Sequence, residues 1–408
     1  NTEFIRKLEN FSSSKVLSSS GKLGMGNTLE NSNNESLKET VRNLPIQLSD
    51  WQELLDSGEM DGDAANQLTG WSVSLSDDGS RVAIGAPEWK NSSDQSYGRV
   101  SVYDKSVDGE ITLILHITGM DAAGKFGQSV SLSGDGSVLA IGAPYEGNGV
   151  VRLYNNFVQE STPGANDGYA NLMGEITSSA AGVDNFGWSV SLSYYGTIVA
   201  IGAPDSDITT GNDGQVRIYQ NDGISWNQIG NSINGSGRNA RAGTSVSLSN
   251  DGTKLAIGAQ GGAPSIGAAF LCEYNEGDWV LLWATTGAAT QDDKFGYSVS
   301  LSGDGRTLAI GAPWKRPSDV VKAGQVSIYY DNTGDSAAWV QVGLNITSLT
   351  PAQYGQFGAS VSLSDDGTTL AIGATGISAG TGEVFVYQLD GPTRTASQLE
   401  NSIVLNFM

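Results

Sequence analysis

At 408 residues the chain is long enough for two or three average domains, yet single all-β propellers and barrels also reach this length. Its 54 glycines and its low share of charged residues, 16%, are typical of short strands joined by tight turns and not of helices stabilised by surface ion pairs. The formal net charge of −22 excludes nucleic acid as a partner, because little basic surface is left to neutralise phosphates.

One sequence pattern recurs along the chain at intervals of 53 to 62 residues, and it is clearest in FGQSVSLSGDGSVLAIGAP, residues 126–144. Self-similarity at a fixed period is the signature of a repeat architecture. Copies begin near residues 11 (degenerate), 69, 126, 186, 242, 295 and 357, and a tail follows over residues 391–408.

Each copy predicts four strands. The run SVSLS alternates apolar and small polar residues, which is the period of a half-buried strand. An Asp-Gly pair follows and predicts a hairpin turn that needs a positive φ. The run LAIGA then predicts a buried partner strand. A third strand follows over residues 98–103, 149–154, 214–219, 324–329 and 382–387, and a fourth often opens with tryptophan, at Trp226, Trp279 and Trp339.

Four antiparallel strands in every copy predict the blades of one all-β propeller over residues 1–408, since closing the ring protects the sheet edges. We favour seven blades, because Phe11, Leu17 and Gly21 stand in register with the clean copies. The apolar run SIVLNF, residues 402–407, could supply the closing strand. The alternative is a six-bladed ring with an N-terminal extension, in which SLKETVRNL is a short helix.

The FG…S…IGAP signature resembles the FG-GAP repeat, the unit of the seven-bladed propeller in integrin α chains and in many secreted or surface proteins. The resemblance covers residues 69–390 clearly and 11–68 weakly. It implies an extracellular or cell-surface setting and a role in binding or adhesion, although the motif is more specific for the fold than for the function. Sequons that would permit glycosylation in that setting occur at Asn10, Asn34, Asn91, Asn234 and Asn345.

In integrin-like members of the family a long, Asp-rich loop between the first two strands binds calcium. Here that loop is short, as in residues 76–79, and offers one or two carboxylates where Ca²⁺ takes six to eight oxygen ligands. We therefore expect no required cofactor, and we interpret the Asp-Gly pairs as turn residues. A weaker calcium candidate is the loop that carries Asp205, Asp207 and Asp213, for which a solvated acidic loop is the alternative.

Aromatic residues recur at two repeat positions that propeller geometry places at one rim of the ring. Trp71, Trp188 and Tyr297 follow the FG position, and Trp89, Tyr145 and Trp314 follow IGAP or come close after it. Aromatic rings gathered on one rim suit stacking on a sugar or a hot spot for a protein partner. The alternative for the first three is a packing role between neighbouring blades.

Other residue types exclude several kinds of site. The single cysteine, Cys272, rules out a disulfide within the chain and a cysteine-based zinc site, and its apolar surroundings predict a buried position. The only histidine, His116, falls in a predicted outer strand, which favours a packing role over a catalytic one. No apolar run reaches the roughly 18 residues of a membrane-spanning helix, so we predict no membrane span.

These features predict a non-catalytic module that presents a loop-rich face to a protein or glycan ligand outside the cell. A second hypothesis is a structural subunit of a larger surface assembly, which docks through its rim or exchanges its terminal strands. Such an assembly could also consist of copies of this chain. A third is a secreted carbohydrate-active enzyme that uses paired carboxylates, since acidic residues are plentiful and their separations are not given by the sequence.

Overall fold

The computed structural model of the chain describes residues 67–159, 168–179, 184–208, 211–261, 266–287, 293–332, 339–348, 352–376, 382–390 and 395–398. Within these residues the strands form six antiparallel sheets, and every sheet follows chain order from its first strand to its fourth. The third sheet gains a two-residue strand beside its third member. Each sheet is one propeller blade, which confirms the predicted architecture of four-stranded blades.

The blades are made of consecutive strands. Blade 1 comprises β1 (Ser72–Leu75), β2 (Arg81–Ala86), β3 (Arg99–Lys105) and β4 (Ile111–Thr118). Blade 2 comprises β5 (Ser129–Leu132), β6 (Val138–Ala143), β7 (Val150–Val158) and β8 (Tyr169–Thr177). Blade 3 comprises β9 (Ser189–Leu192), β10 (Ile198–Ala203), β11 (Gln215–Asn221), β12 (Trp226–Gln228) and β13 (Ile233–Asn234). Blade 4 comprises β14 (Ala242–Leu248), β15 (Lys254–Ala259), β16 (Ala268–Asn275) and β17 (Asp278–Thr286). Blade 5 comprises β18 (Ser298–Leu301), β19 (Thr307–Ala312), β20 (Gln325–Asp331) and β21 (Trp339–Gln341). Blade 6 comprises β22 (Phe357–Leu363), β23 (Thr369–Ala374), β24 (Glu383–Asp390) and β25 (Thr395–Gln398).

The first strand of each blade is the inner one, and successive inner strands pack against each other from blade 1 to blade 6. At the five boundaries from blade 1 to blade 6, the glycine of the IGA run lies against the backbone carbonyl of the FG glycine in the next blade. A Cβ added to Gly85, Gly142 or Gly202 would come within 2.0–2.3 Å of that carbonyl oxygen. Only glycine fits here, so the two glycines of the motif are a matched pair across the boundary between blades.

The serines of SVSLS join neighbouring blades. The first serine donates its hydroxyl to the FG-glycine carbonyl of the next blade, at 2.8 Å from Ser72 to Gly127 and 2.9 Å from Ser298 to Gly358. The second serine accepts the N–H of the next blade's inner-strand leucine, as Ser131 does from Leu192 at 3.0 Å. These buried polar side chains of the motif therefore bond one blade to the next.

The core of the molecule lies between the blades, in the layers that these inner and second strands form. β6, β19 and β23 are buried along their whole length, as the LAIGA pattern predicts. The phenylalanines Phe126, Phe186 and Phe357 are among the largest fully buried side chains. Cys272 is 2% exposed, and burial raises the pKa of its thiol to about 12, in agreement with a structural role.

The structure corrects the predicted number of blades. The favoured count of seven is wrong for the described residues, which form six; the degenerate copy that begins near residue 11 lies outside them. The outer strand of the last blade is β25, which lies within the tail of residues 391–408; the run SIVLNF of that tail lies outside the described residues. β25 fills this place because it pairs antiparallel with β24, from Thr395 opposite Asp390 to Gln398 opposite Tyr387.

His116 lies in β4, as predicted, and its Nδ1 is 2.9 Å from the hydroxyl of Ser101 on β3.

In the part of the chain that the structure describes, no helix has the length and apolar character that crossing a membrane requires.

We expect the glycine contact between blades to be among the most sensitive positions in the chain. In Gly202→Ala the new Cβ would lie 2.1 Å from the Gly243 carbonyl oxygen, and we expect a loss of ~3 kcal/mol or more in the free energy of unfolding. Gly223→Ala is the control: its surroundings are open, but its φ is +92°, so it loses only about 1–2 kcal/mol through backbone strain. Equal losses in chemical denaturation would contradict the role of the contact.

Candidate ligand-binding site

The inner strands surround a central channel that opens into a cavity at one end of the ring, which we call the FG end because the FG motifs lead into it. The cavity has a volume of about 120 Å³ and an open mouth. Residues from all six blades contribute, with Trp71, Trp188 and Tyr297 among them. Three aromatic residues that the sequence singled out are therefore brought together in one cavity.

A repeated turn holds the residue after FG in place. In blade 3 the N–H of Trp188 donates to the carbonyl of Asn185 at 3.0 Å, and in blade 5 Tyr297 donates to Lys294 at the same distance. The glycine at the third position of this turn has a φ of +90° in blade 3 and +79° in blade 5, as a type II turn requires. The turn directs the next side chain toward the channel at the same height in each blade.

The six side chains at this position alternate around the mouth. They are aromatic in blades 1, 3 and 5, and uncharged without an aromatic ring in blades 2, 4 and 6: Trp71, Gln128, Trp188, Thr244, Tyr297 and Ala359. Trp71 and Tyr297 are each 40% exposed. Each of these two side chains is therefore partly buried against the protein and partly exposed at the mouth.

The chemistry of the cavity is that of an uncharged binding site. Its polar groups are the amides of Gln128 and Gln260 and a ring of inner-strand hydroxyls, and none of its described lining residues is Asp, Glu, Lys, Arg or His. Amides and hydroxyls donate and accept hydrogen bonds, while the aromatic rings offer apolar faces. This combination can bind a polyhydroxylated ligand that also has an apolar face.

The three other predicted aromatic residues do not line this cavity. Each has a cationic side chain of the same molecule over its ring: Arg99 lies 4.9 Å from the ring centre of Trp89, and Lys125 lies 5.5 Å from that of Tyr145. Trp314 contacts two cations, with Lys322 at 3.7 Å. The six predicted residues therefore separate into three that line the cavity and three that contact cations of the same protein.

The acidic loop of blade 3 uses its carboxylates in bonds within the protein. Asp205 pairs with Arg241 at 2.7 Å and accepts a hydrogen bond from Asn185, and Asp207 accepts the N–H of Asn212. Asp213 is buried. Among the described residues, no group of three His, Cys, Asp or Glu side chains is arranged to hold a metal ion.

The Asp-Gly turns lie at the opposite end of the ring, which we call the hairpin end. In blade 4 the carboxylate of Asp251 accepts the hydroxyl of Ser249 at 2.6 Å and both the N–H and hydroxyl of Thr253. Burial acts to raise the pKa of Asp251, but these hydrogen bonds outweigh it and the pKa lies below its ordinary value of 3.8. The pKa values of Asp78 and Asp135 are lowered by the same balance.

Sequence reasoning missed four polar residues of the cavity: Gln128, Thr244, Gln260 and Ser360. Three of them could have been found, since Gln128 and Thr244 stand at the aromatic position of their copies and Gln260 replaces the proline of IGAP. Ser360 could not, because it is the ordinary first serine of its copy and differs from the others only in its surroundings.

Comparison with known proteins supports the repeat and the fold. Residues 284–329 match the family described as FG-GAP repeat, which confirms the resemblance drawn from the motif. No curated protein matches the chain in sequence. The structure is similar to a candidate 6-phosphogluconolactonase from Bacteroides uniformis, with 15% identity, a TM-score of 0.56 and coverage of 83% of this chain and 86% of that chain.

Two further structures are similar to the same degree. The periplasmic gluconolactonase of Pseudomonas aeruginosa has 14% identity, a TM-score of 0.54 and coverage of 82% of this chain and 85% of its own. A protein from Lactobacillus plantarum has 13% identity, a TM-score of 0.54 and coverage of 84% and 86%. At such identities the similarity establishes the propeller fold alone.

The expectation that the chain is not an enzyme is corrected by these neighbours. It rested on the family resemblance and on the strand position of the only histidine, but proteins named as lactonases have the same fold. The fold is therefore compatible with catalysis.

The pKa shifts of the turns predict an acid dependence of stability. Because the folded-state pKa of Asp251 lies below 3.8, its ionised carboxylate stabilises the fold above that pH, and this stabilisation is lost as the pH falls through the folded-state value. We expect Asp251→Asn to lower the free energy of unfolding by about 1 kcal/mol at pH 7 and by much less near pH 2.5.

Thermal melts over this pH range give the measurement, with Asp108→Asn at an exposed position as the control. An equal loss at both pH values in Asp251→Asn would show that the carboxylate charge has no role in the turn.

Proposed function

We propose that this FG-GAP-repeat propeller binds a saccharide in the cavity at the FG end of its channel. The observation that carries the proposal is the convergence of Trp71, Trp188 and Tyr297 with amide and hydroxyl groups in one uncharged cavity. At about 120 Å³ the cavity is smaller than the roughly 300–1,000 Å³ of most small-ligand sites, so only part of a sugar would enter it.

The alternation of aromatic and polar positions supports a sugar over a wholly apolar ligand. A pyranose presents C–H groups on its faces and hydroxyls around its edge, so a ring stacked on Trp188 would direct hydroxyls toward Gln128 and Thr244 in the neighbouring blades. Aromatic side chains lose little conformational entropy on binding, which suits a site on rigid inner strands.

Ser360 supplies a second, independent indication of a ligand. Five first serines of the inner strands line the cavity, and those of blades 2 to 5 are bonded to the next blade: Ser129, Ser189, Ser245 and Ser298. Ser360 is 5% exposed and its hydroxyl has no hydrogen-bond partner among the described residues. A buried hydroxyl without a partner costs about 1–3 kcal/mol, which a hydroxyl of the ligand would offset.

An extracellular or surface setting is part of the proposal. Its support is the family resemblance together with the sequons, of which Asn234 and Asn345 are exposed in the structure. Expression in a secretory host, followed by mass spectrometry of the asparagine-containing peptides, tests whether these sites accept glycans.

A second candidate function is conversion of a sugar lactone at the same cavity. Two fold neighbours are named as lactonases, and a sugar lactone shares the ring and hydroxyls to which the cavity is suited. A ligand screen that includes gluconolactone separates the two functions. Hydrolysis of the lactone by the protein would assign catalysis, whereas binding without hydrolysis would assign recognition.

We expect Trp188→Ala to weaken binding of oligosaccharides about tenfold or more, because it removes a stacking face from the cavity. Tyr195→Ala is the matched control, since this aromatic residue is 69% exposed on the Asp-Gly-type turn of the same blade, away from the cavity. Glycan-array screening followed by calorimetry on the best oligosaccharide gives the affinities. Binding that survives Trp188→Ala, or no binding by the intact chain, would overturn the proposal.

Ser360 and Ser298 allow a second test, because they are equivalent in the repeat but differ in bonding. We expect Ser360→Ala to raise the melting temperature of the unliganded chain, because it removes a buried hydroxyl without a partner, and to weaken saccharide binding about fivefold through loss of one hydrogen bond. Ser298→Ala should instead lower the free energy of unfolding by about 1 kcal/mol, since its bond to the Gly358 carbonyl joins two blades. A loss of stability in Ser360→Ala would assign its hydroxyl to the fold and not to a ligand.

A further inference from the structure

The cavity at the FG end is bounded by blades at its sides and open at its mouth. Residues from all six described blades line it, although its volume is only about 120 Å³. A separate cavity of about 90 Å³ lies at the hairpin end of the channel, and the two cavities share no lining residue. A ligand that enters at the FG end therefore extends back out through the same mouth.

The depth of the cavity is short. In blade 5 its lining runs from Tyr297 at the mouth to Val299, and in blade 6 it runs from Ala359 to Val361. Because a strand rises about 3.3 Å per residue, the lining reaches roughly 7 Å beyond the residues at the mouth. No more than one sugar residue fits along this distance.

The hydroxyl of Ser360 lies below the mouth. Ser360 follows Ala359, which stands at the aromatic position of its copy, and its buried hydroxyl has no hydrogen-bond partner among the described residues. A ligand hydroxyl that bonds Ser360 must pass the ring of aromatic side chains at the mouth. A sugar that lay flat across the mouth would leave this hydroxyl without a partner, at a cost in free energy.

These dimensions decide which residue of a saccharide chain can enter. A residue inside a linear chain carries glycosidic bonds on two sides, so its neighbours would need two ways out of the cavity. A terminal residue carries one such bond, and the chain attached to it can leave through the mouth. The walls and the small volume thus exclude an internal residue and accept a terminal one.

We infer that the cavity binds the terminal residue of a saccharide chain end-on, with that residue inserted among the aromatic side chains and the remainder of the chain outside. The inference rests on the proposed saccharide-binding function and adds the part of the saccharide that is recognised. Residues beyond the first lie outside the cavity and contribute little to the affinity.

The test compares glucose oligomers that differ in their ends. The probes are maltohexaose, its cyclic counterpart cyclomaltohexaose, which has six glucose residues and no terminus, and maltose. By calorimetry we expect maltohexaose to bind at least about tenfold more tightly than the cyclic oligomer, and maltose to bind within about threefold of maltohexaose.

A fourth probe identifies which terminus is bound. Reduction of maltohexaose to its alditol opens the sugar ring at the reducing end and leaves the other end unchanged. Binding that is kept after reduction assigns the non-reducing end, and binding that is lost assigns the reducing end.

The variant Ala359→Trp separates end-on binding from binding across the mouth, because the two modes predict opposite effects. The N–H of Ala359 donates to the carbonyl of Gln356 at 3.0 Å in the same turn that holds Trp188, so a tryptophan suits this position. A fourth aromatic side chain would narrow the mouth, and we expect maltohexaose to bind about tenfold or more weakly. A sugar that lay across the mouth would gain a stacking face and bind more tightly.

Tyr195→Trp is the matched control, since Tyr195 is exposed on the turn at the hairpin end and a tryptophan there should leave binding unchanged. Thermal melts establish that both variants are folded.

Three results would overturn the inference. Equal binding of the linear and cyclic oligomers would exclude recognition of a terminus while the saccharide proposal stands. Unchanged or tighter binding in Ala359→Trp would place the sugar across the mouth. Binding of none of the probes by the intact chain would count against the proposed function itself, and the inference would fall with it.

Discussion

The structure depends on one close approach, that of the IGA glycine of each blade to the FG-glycine carbonyl of the next. The contact leaves no space for a Cβ, and the FG-glycine carbonyl also accepts a hydrogen bond from the first serine of the inner strand, as in Ser72 and Ser129. Because the contact involves backbone on both sides, it fixes the spacing of the inner strands more tightly than side-chain packing could. The sequence identity of the repeat is greatest where this spacing is set and falls away toward the outer strands.

The same contact makes the cavity a rigid site. The FG glycine that contacts the preceding blade is also the glycine of the turn that directs the next residue into the channel. One backbone conformation therefore sets both the contact between blades and the position of the residue that follows FG. Trp71, Trp188 and Tyr297 are consequently held at equivalent points on a ring, and variation at that position alters the lining of the cavity without altering the fold.

The repeat allowed the architecture to be predicted, because strand alternation, turn residues and glycine positions are local signals repeated six times. The blade count was not predictable in the same way, since the degenerate copy near residue 11 matches the pattern at only a few positions. Trp71 and Trp314 looked alike in the sequence, and the difference between them is made by distant side chains, the lysines over Trp314. The unpartnered hydroxyl of Ser360 depends on the spatial neighbours of its blade, which no residue near it in the chain reveals.

The glycine contact recurs at the five boundaries from blade 1 to blade 6, and the serine bond to the FG-glycine carbonyl recurs at four of them, so one blade of this kind can readily stand after another. In evolutionary terms the ring is therefore open to gain or loss of a copy by unequal recombination, at little cost to the boundaries on either side. The mouth is less tolerant, because aromatic and non-aromatic residues alternate there. A single inserted copy would put two residues of one kind side by side, whereas a duplicated pair would preserve the alternation. Selection on the ligand surface would thus favour changes in steps of two copies, while selection on the fold alone would accept one.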